Sequence, residues 1–180
     1  MTPVAARTAR PFAFGYARPT MPAPTRLERR IVSEDPATTS ALGRALSVAA
    51  RPGDVVCLWG DLGAGKTHLA KAFGAGLGVT DTIVSPSFIL MAEYTGRLPL
   101  FHLDLYRLAD ASDALAGGLI DDRQAAGVTL VEWPDRLGPA LPARRLDVVI
   151  EGSGEEPREI TLATGDPDLA RFLDAVGGVG

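Results

Sequence analysis

Val55-Val56-Cys57-Leu58-Trp59-Gly60-Asp61-Leu62-Gly63-Ala64-Gly65-Lys66-Thr67 is the stretch that decides the fold. Its first five residues are apolar and partly β-branched, as in a strand buried on both faces of a parallel sheet. The next eight match G-x-x-x-x-G-K-[ST], and residues 66–77 then read as a helix stopped by Gly78. Strand, glycine loop and helix in that order form a phosphate cradle. Glycines let successive backbone N–H groups turn inward, and the helix adds its positive end. Gly60, Asp61, Leu62, Gly63, Ala64 and Gly65 would then wrap the phosphates. Lys66 would reach the β- and γ-phosphates, and Thr67 would give a hydroxyl to Mg²⁺. Among 18 lysines and arginines only Lys66 and Lys71 are lysines, so a lysine here is informative. The competing reading, a plain glycine turn, explains neither the spacing nor the flanking strand and helix.

Outward from the loop, residues 35–50 carry Ala41, Leu42, Ala45, Leu46 and Ala49 at helical spacing, with Ser33, Asp35 and Thr39 as available starts. Thr39 is also a candidate to approach a bound nucleotide. Residues 85–94 and 98–106 read as strands joined by Thr95-Gly96-Arg97, and 109–126 as helix and loop. Residues 128–133 form another buried strand, stopped by Pro134. Residues 146–151 and 159–163 make a second hairpin, and 168–176 a closing helix. The expected fold is α/β: a single P-loop NTPase-like domain over residues 28–180. It has a mixed β-sheet with helices on both faces and added antiparallel hairpins.

Residues 1–27 differ in kind. They are rich in Pro, Ala and Arg, with Arg7, Arg10, Arg18 and Arg26 and no acid before Glu28. The composition is that of a transit sequence without the apolar core of a secretory signal. A disordered extension is the expectation, with Met21 as a second start. For the rest, 46% hydrophobic and 22% charged residues suit a soluble domain, and a net charge of −4 disfavours bulk binding of DNA. Cys57, the single cysteine, excludes an internal disulfide. No apolar run is long enough for a membrane span, so a cytoplasmic protein is expected.

Two downstream acids complete a nucleotide site. Glu132 ends the strand 128–131, at the sheet edge where ligands bind in open α/β folds. An ordinary exposed strand-end acid is the alternative. In Phe101-His102-Leu103-Asp104-Leu105-Tyr106-Arg107, period-two alternation places His102, Asp104 and Tyr106 on one face. That row suits a site or a solvated face equally, and His102 suits a structural role as well. Trp133 either covers the site or fills the core. His68 reads as a helix-surface residue. Ser85 and Ser87 flank Pro86 in what is either a switch loop or plain turn chemistry.

The phosphate loop, Ser85-Pro86-Ser87-Phe88, His102-Leu103-Asp104-Leu105-Tyr106-Arg107-Leu108 and Val131-Glu132-Trp133-Pro134 together resemble the TsaE family, formerly YjeE. The family is the bacterial ATPase of tRNA threonylcarbamoyladenosine synthesis. The likeness runs over residues 38–150, and the last three motifs in combination are specific. It implies an ATP- and Mg²⁺-dependent protein serving the TsaB–TsaD complex, which it resets between turnovers while touching tRNA only indirectly. It also implies that Thr67 and Glu132 hold Mg²⁺ and that Asp104 supports hydrolysis. Lys66, Asp104 and Glu132 are the candidate catalytic residues, with either acid available to position the attacking water. Trp133 would lie beside the nucleotide and Ser87 in a switch-like loop. ATP in preference to GTP rests on this likeness. Three positions depart from the pattern. His68 stands where a second hydroxyl often follows, Ser87 replaces threonine, and residues 114–122 are looser than the usual acidic helix. A small-molecule kinase on a P-loop fold is the alternative, calling on Arg123, Arg136, Arg144 and Arg145 as a lid. A nucleotide-dependent binding module with negligible solitary hydrolysis is a third reading.

Overall fold

The strand ahead of the glycine loop, β2 (Asp54–Trp59), lies at the centre of a seven-stranded sheet, and the computed structural model describes residues 27–108, Leu119 and 121–179. Its parallel neighbours are β5 (Val128–Glu132) and β6 (Leu146–Glu151), with β4 (Leu100–Asp104) parallel to β5 beyond. Every residue of β4 and β5 is buried, as expected for strands covered on both faces. The antiparallel strands flank this core: β3 (Met91–Tyr94) beside β4, then β7 (Arg158–Thr164) and β1 (Leu27–Ser33) beyond β6.

Side-chain alternation divides the apolar interior between the two faces of the sheet. Val56, Leu58, Leu130 and Val148 join Leu42 and Leu46 of α1 (Pro36–Ala49) and Leu69 and Phe73 of α2 (Lys66–Gly76). Phe172 of the C-terminal helix Ala170–Ala175 packs into the same layer. On the other face Cys57, Trp59, Leu103 and Val131 pack with Leu108, Leu119 and Leu137 of the 3₁₀ segment Pro134–Ala140. Cys57 is fully buried there, and burial pushes its thiol far above the ordinary range. Asp35 caps α1 by accepting from the Thr38 N–H at 2.7 Å, and Pro36 follows in the first turn.

The mixed α/β P-loop architecture matches the sequence expectation, with local differences. No element was expected ahead of the helix at 35–50, but residues Leu27–Ser33 pair with β7 from Leu27↔Thr164 to Ser33↔Arg158. The strand is charged because it is a sheet edge, where Glu28, Arg29 and Arg30 discourage further pairing. Of residues 1–27, expected to be a disordered extension, Leu27 opens this strand and 1–26 lie outside the described residues, as do 109–118 and Ile120 of the expected helix and loop. The strand expected over 85–94 is shorter. Pro86 accepts from the Ile89 and Leu90 N–H groups and turns the chain, leaving β3 only four residues. Among the described residues no helix is long and apolar enough to cross a membrane.

α1 and α2 approach closely at Gly43. A Cβ there would lie 2.8 Å from both the Ala72 Cβ and the Leu69 carbonyl oxygen. Gly43→Ala should therefore destabilise the chain by about 1–2 kcal/mol, since overpacking outweighs the roughly 1 kcal/mol helix preference of alanine. A denaturant midpoint that stays level or rises, at unchanged slope, would contradict so tight a crossing.

Candidate functional site

The parallel register brings the site together. β2 ends at Trp59 and passes into the loop, while Leu58 lies opposite Glu132 and Glu132 opposite Asp104. Both carboxylates thus stand side by side on the face covered by α2. The loop depends on glycine at particular points. At Gly60, with φ 146°, a Cβ would come 2.5 Å from the Ile150 carbonyl oxygen. Gly65, with φ 111°, is the N-terminal cap of α2. Side chains rarely adopt either backbone conformation.

Lys66 is 5% exposed; its Nζ donates to the Gly60 carbonyl at 2.7 Å and the Asp61 carbonyl at 2.9 Å. The ammonium also lies 3.9 Å from the centre of a Trp133 ring. Burial holds the Lys66 pKa below the ordinary lysine value, although Glu132, Asp104, Asp61 and Asp135 pull it back up. Trp133 follows β5 with φ 58°, a left-handed backbone uncommon for a bulky residue. Its ring packs at 5.0 Å from Tyr106 and is 7% exposed. The two readings of Trp133 therefore merge, since it belongs to the second apolar layer and also touches the loop lysine.

Thr67 donates its hydroxyl to both Glu132 oxygens at 3.0 Å, joining the first turn of α2 to the end of β5. Glu132 is 2% exposed and also meets His102 Nε2 at 2.9 Å. Asp104, also buried, accepts from the Ser85 hydroxyl through one carboxylate oxygen and from the Tyr106 N–H through the other at 3.0 Å. His102 and Asp104 thus form an interior face under α2, not a solvated one, while Tyr106, expected on the same face, lies beyond the end of β4, is 41% exposed and packs on Trp133.

These groups border an open cleft of ≈ 380 Å³. Lys66, Thr67, Asp104, Glu132 and Trp133 line it together with Leu62, Gly63 and Gly65 of the loop. Ser87 lies on its rim, as does His68. A second cleft of ≈ 390 Å³ adjoins it across Gly65 and His68, with Thr39, Ala64 and Arg158 among its walls. Gly60 and Asp61 face Lys66 through their carbonyls, and Ala64 donates its N–H to the Asp61 carbonyl at 3.1 Å. Among the described residues no group of three or more His, Cys, Asp and Glu side chains could cage a metal by itself.

Sequence reasoning did not pair His102 with Glu132, nor identify Ser85 rather than Ser87 as the hydroxyl on Asp104. It also missed Arg158, whose Nε donates to the Ala64 carbonyl at 3.0 Å across 94 positions of chain. No local spacing signals a contact of that kind. His68, taken as a surface residue, is exposed and meets Ser40 Oγ at 2.8 Å, which ties α2 to α1 beside both clefts.

Comparison with known proteins gives a consistent result. Residues 33–160 match the family model described as threonylcarbamoyl adenosine biosynthesis protein TsaE. The tRNA threonylcarbamoyladenosine biosynthesis protein TsaE of Bacillus subtilis is 45% identical over 129 residues, covering 71% of this chain and 80% of the relative. That of Treponema pallidum is 37% identical over 134 residues, covering 74% of this chain and 99% of the relative. The crystal structure of Bacillus subtilis YdiB superposes with a TM-score of 0.70 at 33% identity, over 84% of this chain and 95% of that one.

The buried ammonium has a measurable consequence. Because the folded-state pKa of Lys66 is depressed, the unfolded chain holds that proton more firmly, and charged Lys66 costs stability at neutral pH. Stability should recover as pH rises from the lowered value to the ordinary lysine value. Melting curves of wild type and Lys66→Met from about pH 7 to about pH 10 should show the wild type gaining on the variant. A difference that does not change with pH would contradict the assignment.

Proposed function

The chain belongs to the TsaE family of tRNA threonylcarbamoyladenosine biosynthesis proteins, and from that premise we propose that it binds ATP·Mg²⁺ at residues 60–67 and hydrolyses it in support of a TsaB–TsaD complex. The observation that carries this reading is the convergence of Lys66, Thr67, Glu132 and Asp104 on one cleft at the carboxyl edge of parallel strands. Phosphates would sit in the loop, against inward N–H groups and Lys66. The base and ribose would extend past Gly65 and His68 into the second cleft.

The residues present suit Mg²⁺. Thr67 and Glu132 already bring a hydroxyl and a carboxylate within 3.0 Å of each other, oxygen donors of the kind a hard cation takes alongside substrate phosphates. When bound, the ion would neutralise charge developing on the β- and γ-phosphates. To admit it, Thr67 would turn its hydroxyl proton away from Glu132. Lys66 would exchange the Gly60 and Asp61 carbonyls for phosphate oxygens. Asp104 is the group we assign to the attacking water. The water oxygen would bond to the γ-phosphorus as its proton passes to the Asp104 carboxylate. The bond to the β–γ bridging oxygen would break, and ADP and inorganic phosphate would depart, the proton then returning to solvent. Ser85 and the Tyr106 N–H hold Asp104 for that task, while Ser87 on the rim belongs to a loop whose position would depend on the γ-phosphate.

A kinase reading is less well supported. The arginines it would need are engaged elsewhere: Arg123 with Asp121 and Glu93, Arg144 with Asp54 and Asp166, Arg145 with Asp147, and Arg136 beside Asp135. With the tRNA-modifying complex as partner, the work is placed in the cytoplasm and its contact with tRNA is indirect.

The test is ATP hydrolysis by the purified chain, alone and with cognate TsaB–TsaD. Turnover should be slow alone and rise strongly with the partners. Glu132→Gln and Asp104→Asn should each lower it by roughly 10²-fold while leaving the fold intact. Unchanged turnover in both variants would remove these residues from the mechanism. ATP consumption only on addition of a small-molecule acceptor would favour the kinase.

A further inference from the structure

His102 is an imidazole with no solvent exposure, and its relation to Glu132 goes beyond packing. It enters from β4, one strand away, and its Nε2 lies 2.9 Å from Glu132 Oε1. A carboxylate only accepts, so the shared proton belongs to Nε2. Nδ1 has no hydrogen-bond partner among the described residues, so this side chain's one polar attachment is to Glu132. Glu132 in turn makes two kinds of contact. Thr67 reaches both of its oxygens, whereas His102 engages Oε1 alone. If the Thr67 hydroxyl turns to a cation, His102 remains as the contact fixing the carboxylate.

We infer that His102 is a positioning residue for Glu132: by donating from Nε2 to Oε1 it orients the carboxylate toward the nucleotide-bound cation. A buried carboxylate with free side-chain torsions would spread over several rotamers once Thr67 lets go. A rigid donor on the neighbouring parallel strand removes that freedom before the ligand arrives. Partners of this kind behind a metal-holding group are worth about 10–100-fold in metal affinity. The inference rests on the nucleotide reading above and adds to it the means by which Glu132 is held.

The experiment compares wild type, His102→Met and His102→Gln. Methionine keeps the bulk and removes the donor, while glutamine places an amide N–H at the same distance along the side chain as Nε2. ATP affinity is measured by titration with and without Mg²⁺, and melting temperature is recorded for each chain. Wild type should bind ATP more tightly with Mg²⁺ present. In His102→Met that gain should fall by about tenfold or more, with Mg²⁺-free affinity changed by less than about twofold, and His102→Gln should restore most of it. A full Mg²⁺ gain in folded His102→Met would overturn the inference and leave the nucleotide reading standing. So would equal losses with and without Mg²⁺ that follow the melting temperature in both variants, since that is the mark of a purely structural residue. A wild type that binds no ATP would remove the nucleotide reading and this inference together.

Discussion

Four ionisable groups are buried together at one end of the sheet: His102, Asp104 and Glu132 toward the ends of β4 and β5, and Lys66 in the first turn of α2. Burying a charge is costly unless partners replace the lost water, and that constraint organises this end of the molecule. Partners come from other elements: Lys66 meets the loop carbonyls and an indole, Glu132 meets α2 and β4, Asp104 meets the segment ahead of β3, and His102 meets Glu132 through Nε2 alone. β4, β5, α2 and the glycine loop are therefore mutually dependent. Their relative positions are set by polar contacts of fixed geometry, and the apolar layers hold the rest.

These interactions also bear on how a ligand would be received. Lys66 and Thr67 are turned toward protein acceptors, and under the proposed function both would exchange them for phosphate and metal. Because the protein contacts occupy the same donors, ligand entry is an exchange of partners. Arg158, at the start of β7 and joined to Ala64, links the loop to the strand that pairs with edge strand β1.

Much of this was legible in the chain because the decisive signals are local. Buried parallel strands read as apolar runs, the loop as a fixed spacing of glycines with Lys66, and strand-end acids as Glu132 and Asp104. What escaped was non-local or disguised. β1 carries Glu28, Arg29 and Arg30 because it is an edge, so it lacks the apolar signature of an inner strand. Residues 85–90 contain β-favouring Phe88 and Ile89, yet Pro86 forces a turn that leaves both exposed. The His102–Glu132 and Ser85–Asp104 pairs span 30 and 19 positions, and no local spacing in the chain signals which imidazole and which hydroxyl meet the acids.

Cys57 carries a practical consequence. It is the single cysteine of the chain, enclosed in the second apolar layer, with its thiolate strongly disfavoured. Thiol-directed dyes and spin labels will pass the native fold by, so no cysteine has to be removed before labelling. A cysteine introduced at solvent-facing Phe88 or Ile89 would take up a single probe on the loop beside Asp104. The wild-type background is already silent, and the motions of that loop can be followed optically in an otherwise unaltered molecule.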